Sequence, residues 1–409
     1  MKILFISQYF HPEPFSNTDI ARAMIDRGHE VEAVTCVPNY PEGAFYSGYS
    51  NSARRSEDWS GIRILRARTV ARGKRAATLL MNYLAYPPMA LWTILRRGSG
   101  GYSVSFTSMP SPIFQCIVAV AMKVFRGVPA VYWVQDIWPE SLINTVHIRN
   151  PLLQRALRAM CAFLYRRADI LLVQSEAFRP KLAAMGVDPD RIAFFPNTAP
   201  DSFVPLSRDQ VDPAITGLIP PAPLRIMFAG NVGESQNLDV VIAAAERLRG
   251  TTDVQWVIVG SGRDLDRITA RVAAAGLDDV VVFAGRHPMD AMPAFYALAD
   301  AMIVSLKDTE IFRMTVPYKL QTYMSAGKPV IGSISGETQR IVDEADVGFC
   351  ADADDVEGLC DAVRRFAALT PEQRTALGIN ARAYFEAHYS ATRVMDGLEQ
   401  RLRSVAKPG

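Results

Sequence analysis

Cysteine is scarce in this chain: five in 409 residues, at positions 36, 116, 161, 350 and 360, with no C-x-x-C pair among them. The five histidines stand at no metal-ligand spacing. These absences argue against a disulfide scaffold and against a structural zinc site; the thiols are expected to be reduced core residues of a cytosolic protein, with no metal bound. No basic cluster is interleaved with aromatics, so nucleic acid is not an expected partner. The dinucleotide fingerprint G-x-G-x-x-G is missing, and so is an acidic residue at the ribose-reading distance. The best long apolar run, ATLLMNYLAYPPMALWTIL at 77–95, is interrupted by Asn82 and by Pro87-Pro88. That pattern predicts docking at a membrane interface, with Trp92 at headgroup level, in preference to a span. The opening MKILFISQYF is too short and too polar after Ser7 for a secretion signal and reads as a first strand.

What is present describes a globular protein. Hydrophobic residues make up 49% and charged residues 21%, and the length suits two or three domains. The net charge of +2 conceals an asymmetry: residues 1–205 hold 23 Lys/Arg against 15 Asp/Glu, and the remainder holds 21 against 27. A basic first half suits anionic lipid or phosphate ligands. The flanks of the 77–95 run (Arg72, Lys74, Arg75, Arg96 and Arg97) and the basic amphipathic stretch LLQRALRAMCAFLYRR at 152–167 fall in that half. Either stretch alone could be a core helix with solvated arginines; together they favour a membrane surface.

Apolar strand-like runs alternate with helical runs throughout, which predicts parallel α/β architecture. Strands are expected at 2–7, 29–36, 62–68, 102–108, 130–135, 168–175 and 191–197, with helices between them such as 17–27 and 112–125. A second series follows at 224–231, 254–262, 280–285, 301–306, 329–333 and 347–352, with helices at 238–249 and 263–275. Residues 201–223, rich in proline and without a sustained period, read as a linker. The predicted organisation is a first domain over 1–200, a second over 224–385, and a C-terminal helix over 386–409 that crosses back to the first. Each half is doubly wound, so ligands are expected beyond the carboxyl ends of its strands.

Three glycine turns stand at such strand ends in the second half. The first runs Gly230-Asn231-Val232-Gly233-Glu234-Ser235-Gln236 and leads through Asn237 into a helix. The second is Gly260-Ser261-Gly262 and the third Gly285-Arg286. Glycines let backbone amides approach an anion, and a helix start adds positive potential. Any one of these turns is a common α/β feature; three in one sheet point to a nucleotide-diphosphate pocket. The segment VPYKLQTYMSAGKPVIGSISGE at 316–337 adds Lys319 at the mouth of a short helix, either a surface lysine or half of a pyrophosphate cradle. In the first half, Asp136 and Glu140 in WVQDIWPES follow a buried strand. A carboxylate there can bind a sugar hydroxyl or take its proton, although Asp136 could equally cap the next helix. His11 and Glu13 in the loop after the first strand, and Asn39 and Tyr40 after the second, form the rest of that rim.

Taken in order, QYFHPE, GHEVEAVTCVPNYPEG, VQDIWPES, FFPN, FAGNVGESQNLD, VGSG, VPYKLQTYMSAGKPVIGSISGE and NARAYFEAHYS resemble the retaining glycosyltransferases of family 4 across nearly the whole chain. The resemblance is to the bacterial branch that builds colanic acid, O-antigen and capsule. It implies the GT-B fold, two Rossmann-like domains facing each other across a cleft. It also implies transfer, with retention, of a sugar from a nucleotide-diphosphate donor, UDP-sugar by preference, held by the second domain. The acceptor, held by the first, would be a lipid-linked saccharide at the inner face of the membrane, where the protein would be peripheral. No cofactor or metal is implied, since protein groups carry the leaving diphosphate.

The chain departs from the family pattern at several positions. The family's Glu-x7-Glu pair falls on Met314 and Thr322. Its diphosphate-binding Arg and Lys align with Asn231 and Gln236, and Asp136 stands where many relatives carry a histidine. Glu310 and Glu337 are the nearby carboxylates that could compensate, Gln321 could reach sugar hydroxyls, and charge neutralisation would fall on Lys319, Arg313, Arg286 and backbone amides. A non-hydrolysing sugar-nucleotide 2-epimerase and a catalytically silent binding partner of the same fold remain the competing expectations.

Overall fold

The computed structural model describes residues 1–409 except 74, 110, 141, 144–147, 201 and 409; Lys74, beside the apolar run, and Ser141 of WVQDIWPES therefore lie outside the described residues. The chain forms two compact units, Met1–Phe195 together with Met395–Gly409, and Pro196–Val394.

In the first unit the strands are β1 (Lys2–Ile6), β2 (Glu30–Cys36), β3 (Ser56–Trp59), β4 (Ile62–Ala67), β5 (Val104–Met109), β6 (Ala130–Val134), β7 (Ile170–Val173) and β8 (Ile192–Phe194). They lie in the order β3-β4-β2-β1-β5-β6-β7-β8. All neighbours are parallel except β3, which runs antiparallel to β4. Central strands such as β5 and β6 are buried along their whole length, which explains their nearly unbroken apolar or small-residue runs. β3 was not foreseen: SEDW is polar, alternates between exposed and half-buried, and sits at the sheet edge.

The second unit carries β9 (Arg225–Ala229), β10 (Gln255–Val259), β11 (Val281–Gly285), β12 (Ala301–Ser305), β13 (Val330–Ser333) and β14 (Gly348–Ala351). The order β11-β10-β9-β12-β13-β14 is parallel throughout. Phe228, Trp256 and Ile258 from the sheet pack with Val241 of helix Leu238–Leu248 and Phe366 of helix Val356–Ala367 in one core.

Three sequence expectations change here. The 201–223 stretch, expected as a linker, belongs to the second unit, and Phe203, Val211 and Ile219 are buried within it; apolar residues spaced among the prolines anchor a path that lacks regular hydrogen bonds. The C-terminal segment divides later than 386: helix Pro371–His388 stays with the second unit, while Met395 onward joins the first. There Asp396 and Glu399 pair with Arg27 and His29 at 3.0 Å each. Finally, Pro87-Pro88 do not end the apolar run. Helix Ala76–Arg97 continues through both.

Candidate active site

In the second unit the strand order reverses between β9 and β12, and the loops beyond the carboxyl ends of β9, β10 and β11 enclose a recess of about 1030 Å³. Its lining includes Gly230, Asn231, Gln236, Gly260, Gly262, Arg286, Tyr296, Tyr318, Lys319 and Thr322. A doubly wound sheet opens such a crevice because adjacent loops there turn to opposite faces.

Lys319 is the only lysine lining this recess, and its environment is unusual. Pro317 fixes the start of helix Tyr318–Ser325, which places Lys319 in the first turn. Its Nζ stands 3.8 Å from the centroid of the Phe228 ring and donates to Gln236 Oε1. Among the described residues no carboxylate pairs with it. Burial pushes its ammonium down to about 7. The side chain is half-buried rather than sealed, so an incoming anion can reach it. Gly230, at φ 138°, leaves the space beside it: a β-carbon there would stand 3.6 Å from Nζ. Arg286 is exposed at the rim and adds a second positive charge.

The glycine turns hold each other before they hold anything else. A β-carbon on Gly260 would collide with the Gly230 carbonyl oxygen, and one on Gly262 with that of Val232. The amides of Gly230, Val232 and Gly260 donate to Val259, Ser261 and Gly285 carbonyls at 2.9, 2.9 and 2.7 Å. Gly260 and Gly262 therefore line the recess, but these amides are committed to joining neighbouring turns instead of cradling an anion, as expected from the sequence.

Other expected donor residues do not line the recess. Asn237 adopts the left-handed conformation (φ 49°) ahead of helix Leu238–Leu248 and donates to Asp354, a backbone role that asparagine tolerates. Glu234 pairs with Lys307. Gly233 sits beneath the Asn231 side chain. Arg313 grips Asp308 with two bonds of 2.6 Å, so its charge is already matched. Glu337 is buried and bound by Arg340 at 2.8 and 3.1 Å. Gln321 is buried, and with its amide nitrogen turned toward the helix start it donates to the Pro317 and Tyr318 carbonyls at 3.1 and 3.0 Å. Glu310 is exposed in the first turn of helix Glu310–Met314. Two lining residues, Tyr296 and Tyr318, went unnoticed in the sequence because an aromatic in a helix is indistinguishable from core until its neighbours are known.

In the first unit the expected rim separates into scaffold and exposed groups. Glu13 is buried and accepts from the Asn39 and Tyr40 amides at 2.8 Å each and from Phe10 at 3.2 Å. Burial raises its carboxyl to about 7 against the opposing pull of those three amides. Asn39 is fully buried, donating to Val37 and accepting from Arg72. Both were expected to contact the acceptor; instead they tie the loop after β1 to the loop after β2. His11 stacks on Trp59 at 4.2 Å, and burial lowers its pKa. Tyr40 lies under Arg72. Glu140 bonds Arg158 at 3.3 Å, while its buried Oε2 has no partner among the described residues. Asp136, just beyond β6, is exposed, yet surrounding protein pushes its carboxyl up to about 6.

Comparison with known proteins matches residues 223–368 to the glycosyl transferases group 1 and residues 16–198 to the glycosyl transferase 4-like domain. The chain belongs to the family 4 glycosyltransferases. It is 25% identical over 417 aligned positions, covering 94% of this chain and 96% of the other, to WcaI of Escherichia coli K12, which is named for colanic acid biosynthesis. Among solved structures it is similar to a sucrose-phosphate synthase from Thermosynechococcus elongatus (TM-score 0.73, 16% identity, covering 99% and 98% of the two chains). It is also similar to Anabaena HepE in complex with UDP (TM-score 0.69, 14% identity, 99% and 100%). These likenesses identify the fold as GT-B.

Within this glycosyltransferase, the departures noted above have a physical setting. Thr322 lines the recess, donates to the Lys319 carbonyl at 2.9 Å and lies 3.4 Å from the Tyr296 hydroxyl. A neutral hydroxyl pair thus occupies the neighbourhood where the family resemblance leads to the expectation of a carboxylate. Gln236, aligned with a family cation, instead accepts from Lys319 and so orients the remaining cation.

Proposed function

We propose that this glycosyltransferase transfers a sugar, with retention, from a nucleotide-diphosphate sugar held by the second unit to a saccharide acceptor held by the first. UDP-sugar is the preferred donor, a lipid-linked saccharide the acceptor, and cell-surface polysaccharide synthesis the setting. The observation that carries the reading is Lys319: a half-buried ammonium with no carboxylate partner among the described residues, at the carboxyl ends of β9 and β10, in a recess of about 1030 Å³. A diphosphate supplies the missing counter-charge, and its arrival favours the protonated lysine. The UDP bound to HepE and the colanic acid role named for WcaI support the donor and the setting.

In this reading Lys319 and Arg286 stabilise charge as the bond from the anomeric carbon to the diphosphate breaks. The acceptor oxygen forms its bond on the same face, and its proton passes to a diphosphate oxygen. Lys319 and Arg286 carry the leaving group, so the reading assigns no metal. Asp136 orients the acceptor hydroxyl, and His11 and Tyr40 border it.

A membrane setting is supported by the outward side of helix Ala76–Arg97, where Leu80, Met81, Leu84, Trp92 and Leu95 are exposed. Among the described residues no helix is long and apolar enough to cross a membrane, and the reading is one of attachment to the inner face. A thermal-shift screen with UDP-, GDP- and dTDP-sugars tests the donor, since a ligand of the native state raises its melting temperature. Stabilisation by UDP-sugars that disappears in Lys319→Ala supports the reading. No stabilisation by any nucleotide sugar would reject it, and stabilisation without transfer to any acceptor would leave a binding protein.

A further inference from the structure

Among the described residues, four arginines of the first unit gather without counter-charge at a second recess. Arg55, Arg68, Arg96 and Arg97 line a cavity of about 570 Å³ whose wall is completed by Met89, Trp92 and Thr93 of helix Ala76–Arg97. Four other arginines of this unit find carboxylates: Arg63 has Glu32, Arg66 has Glu57, Arg158 has Glu140 and Arg179 has Glu176; what sets Arg55, Arg68, Arg96 and Arg97 apart is that they share one recess. Among the described residues none of the four is ion-paired. Arg55 is anchored through Nε to the Arg66 carbonyl at 2.9 Å, which fixes the direction of its guanidinium. Burial lowers its pKa, and repulsion from Arg97 and Arg68 adds to the effect. Like charges drawn together in a partly desolvated hollow are unfavourable unless an anion joins them.

We propose that this recess binds the phosphate headgroup of an anionic phospholipid. Guanidinium groups suit a phosphodiester because their donors are arranged in a planar fork that matches two oxygens at once. The lipid source is favoured by what adjoins the charge. Trp92 is 54% exposed with the Arg96 guanidinium 4.3 Å above its ring, and Leu84 and Leu95 are exposed on the same helix at 51% and 63%. Apolar side chains beside a phosphate site are out of place for a water-soluble anion but match acyl chains below a headgroup. The Arg96 end of the recess also stands apart from the loop after β1. Asn82, which bonds Gln8 at 2.7 Å, is about 21 Å along the helix axis from Arg96 at ~1.5 Å per residue. Headgroup binding would thus seat the C-terminal half of this helix on the bilayer and leave the acceptor loops free. The proposal rests on the membrane setting put forward above.

The test is co-sedimentation of the full chain with phosphatidylcholine vesicles, with and without phosphatidylglycerol. Wild type is compared with Arg68→Gln/Arg97→Gln and with a charge-matched control elsewhere in the first unit, at two exposed positions outside both apolar-basic stretches, Arg126→Gln/Arg191→Gln. All five substituted positions are exposed arginines, and matched melting temperatures establish that each variant folds; Arg96→Gln serves as an independent second probe. The expected result is phosphatidylglycerol-dependent binding that weakens by more than about tenfold in the recess variant, with the control close to wild type. Equal loss in both pairs would mean diffuse electrostatic attraction and overturn the site while preserving the membrane setting. No vesicle binding by wild type that still binds UDP would overturn both the headgroup and the membrane setting, leaving the donor reading intact. Calorimetry with inorganic phosphate at matched ionic strength separates the two phosphate sources. Phosphate binding abolished in the recess variant, without vesicle binding, would assign the cluster to a soluble anion and overturn the lipid source.

Discussion

The Lys319 ammonium lies 3.8 Å from the centroid of the Phe228 ring, close enough for the ring face to stabilise the cation. Phe228 belongs to β9 and Lys319 to the helix that follows Pro317. Two segments about ninety residues apart in sequence therefore create the charged corner of the recess. Phe228 and Gln236 keep the ammonium in place without neutralising it, which leaves its charge available to an anion.

Lys319→Ala is expected to weaken UDP binding by roughly ten- to a hundredfold, the cost of losing one charge-assisted contact in a partly dry site. Calorimetry measures this directly; an affinity unchanged from wild type would remove Lys319 from the phosphate site.

The depressed pKa of Lys319, about 7, makes donor binding pH-dependent. Below that value the free protein already carries the ammonium that a diphosphate prefers. Above it the lysine is increasingly neutral and a proton must be taken up on binding. UDP affinity should consequently fall as pH rises from about 7 toward 9, with proton uptake visible as a buffer-dependent binding enthalpy. A flat affinity across this interval contradicts a lowered lysine pKa. Lys319→Ala should flatten whatever slope wild type has.

Asp136→Asn is expected to reduce transfer by roughly a hundredfold while leaving UDP affinity within about twofold, as for loss of a group that orients the acceptor hydroxyl without touching the donor. Initial rates and binding measured side by side decide the matter. Full activity would reduce Asp136 to a residue of the loop after β6.

Glu13 offers a stability test. Its carboxyl is buried and raised from 4.5 to about 7, so between those values the folded state holds a proton that the unfolded chain releases. Stability contributed by this group is thus complete below about 4.5 and lost as pH rises through about 7, by an amount of up to ~3 kcal/mol. In Glu13→Gln the difference in unfolding free energy between pH 5 and pH 8 should shrink relative to wild type. An identical pH dependence in the two proteins would place the ordinary carboxylate at position 13.

Gly260→Ala should destabilise the second unit by about 3 kcal/mol or more, because its β-carbon meets the Gly230 carbonyl and its φ of 143° disfavours any side chain. Denaturant unfolding measures it. A loss below about 1 kcal/mol would mean that the two turns can move apart.

Much of the fold was legible along the chain. Thirteen of the strand positions follow from apolar runs bounded by turns, since a parallel strand buried on both faces must be apolar over its length. β3 escaped notice because an edge strand needs no such pattern. Pro87-Pro88 misled in the opposite direction: a helix can continue through prolines when packing holds it, and sequence alone does not reveal that packing. In the site, Lys319, Arg286 and the glycine turns were recognisable from their place after strands. Which carboxylates and amides were already occupied was not.

By itself the sequence determined the two parallel α/β units, the order of their strands along the chain, the family, and the segments that reach the carboxyl ends of the sheets. These depend on local periodicity and turn chemistry, which act over a few residues. Only the tertiary structure decided which polar groups were left for a ligand. Glu13, Asn39, Arg313, Glu337 and Gln321 are all bound by other groups of the protein, whereas among the described residues Lys319 has no counter-ion and the four arginines beside Trp92 have none. A hydrogen bond or ion pair is satisfied by whichever group the fold brings near, often far away in sequence, and charge left unmatched becomes visible only when every neighbour has been placed.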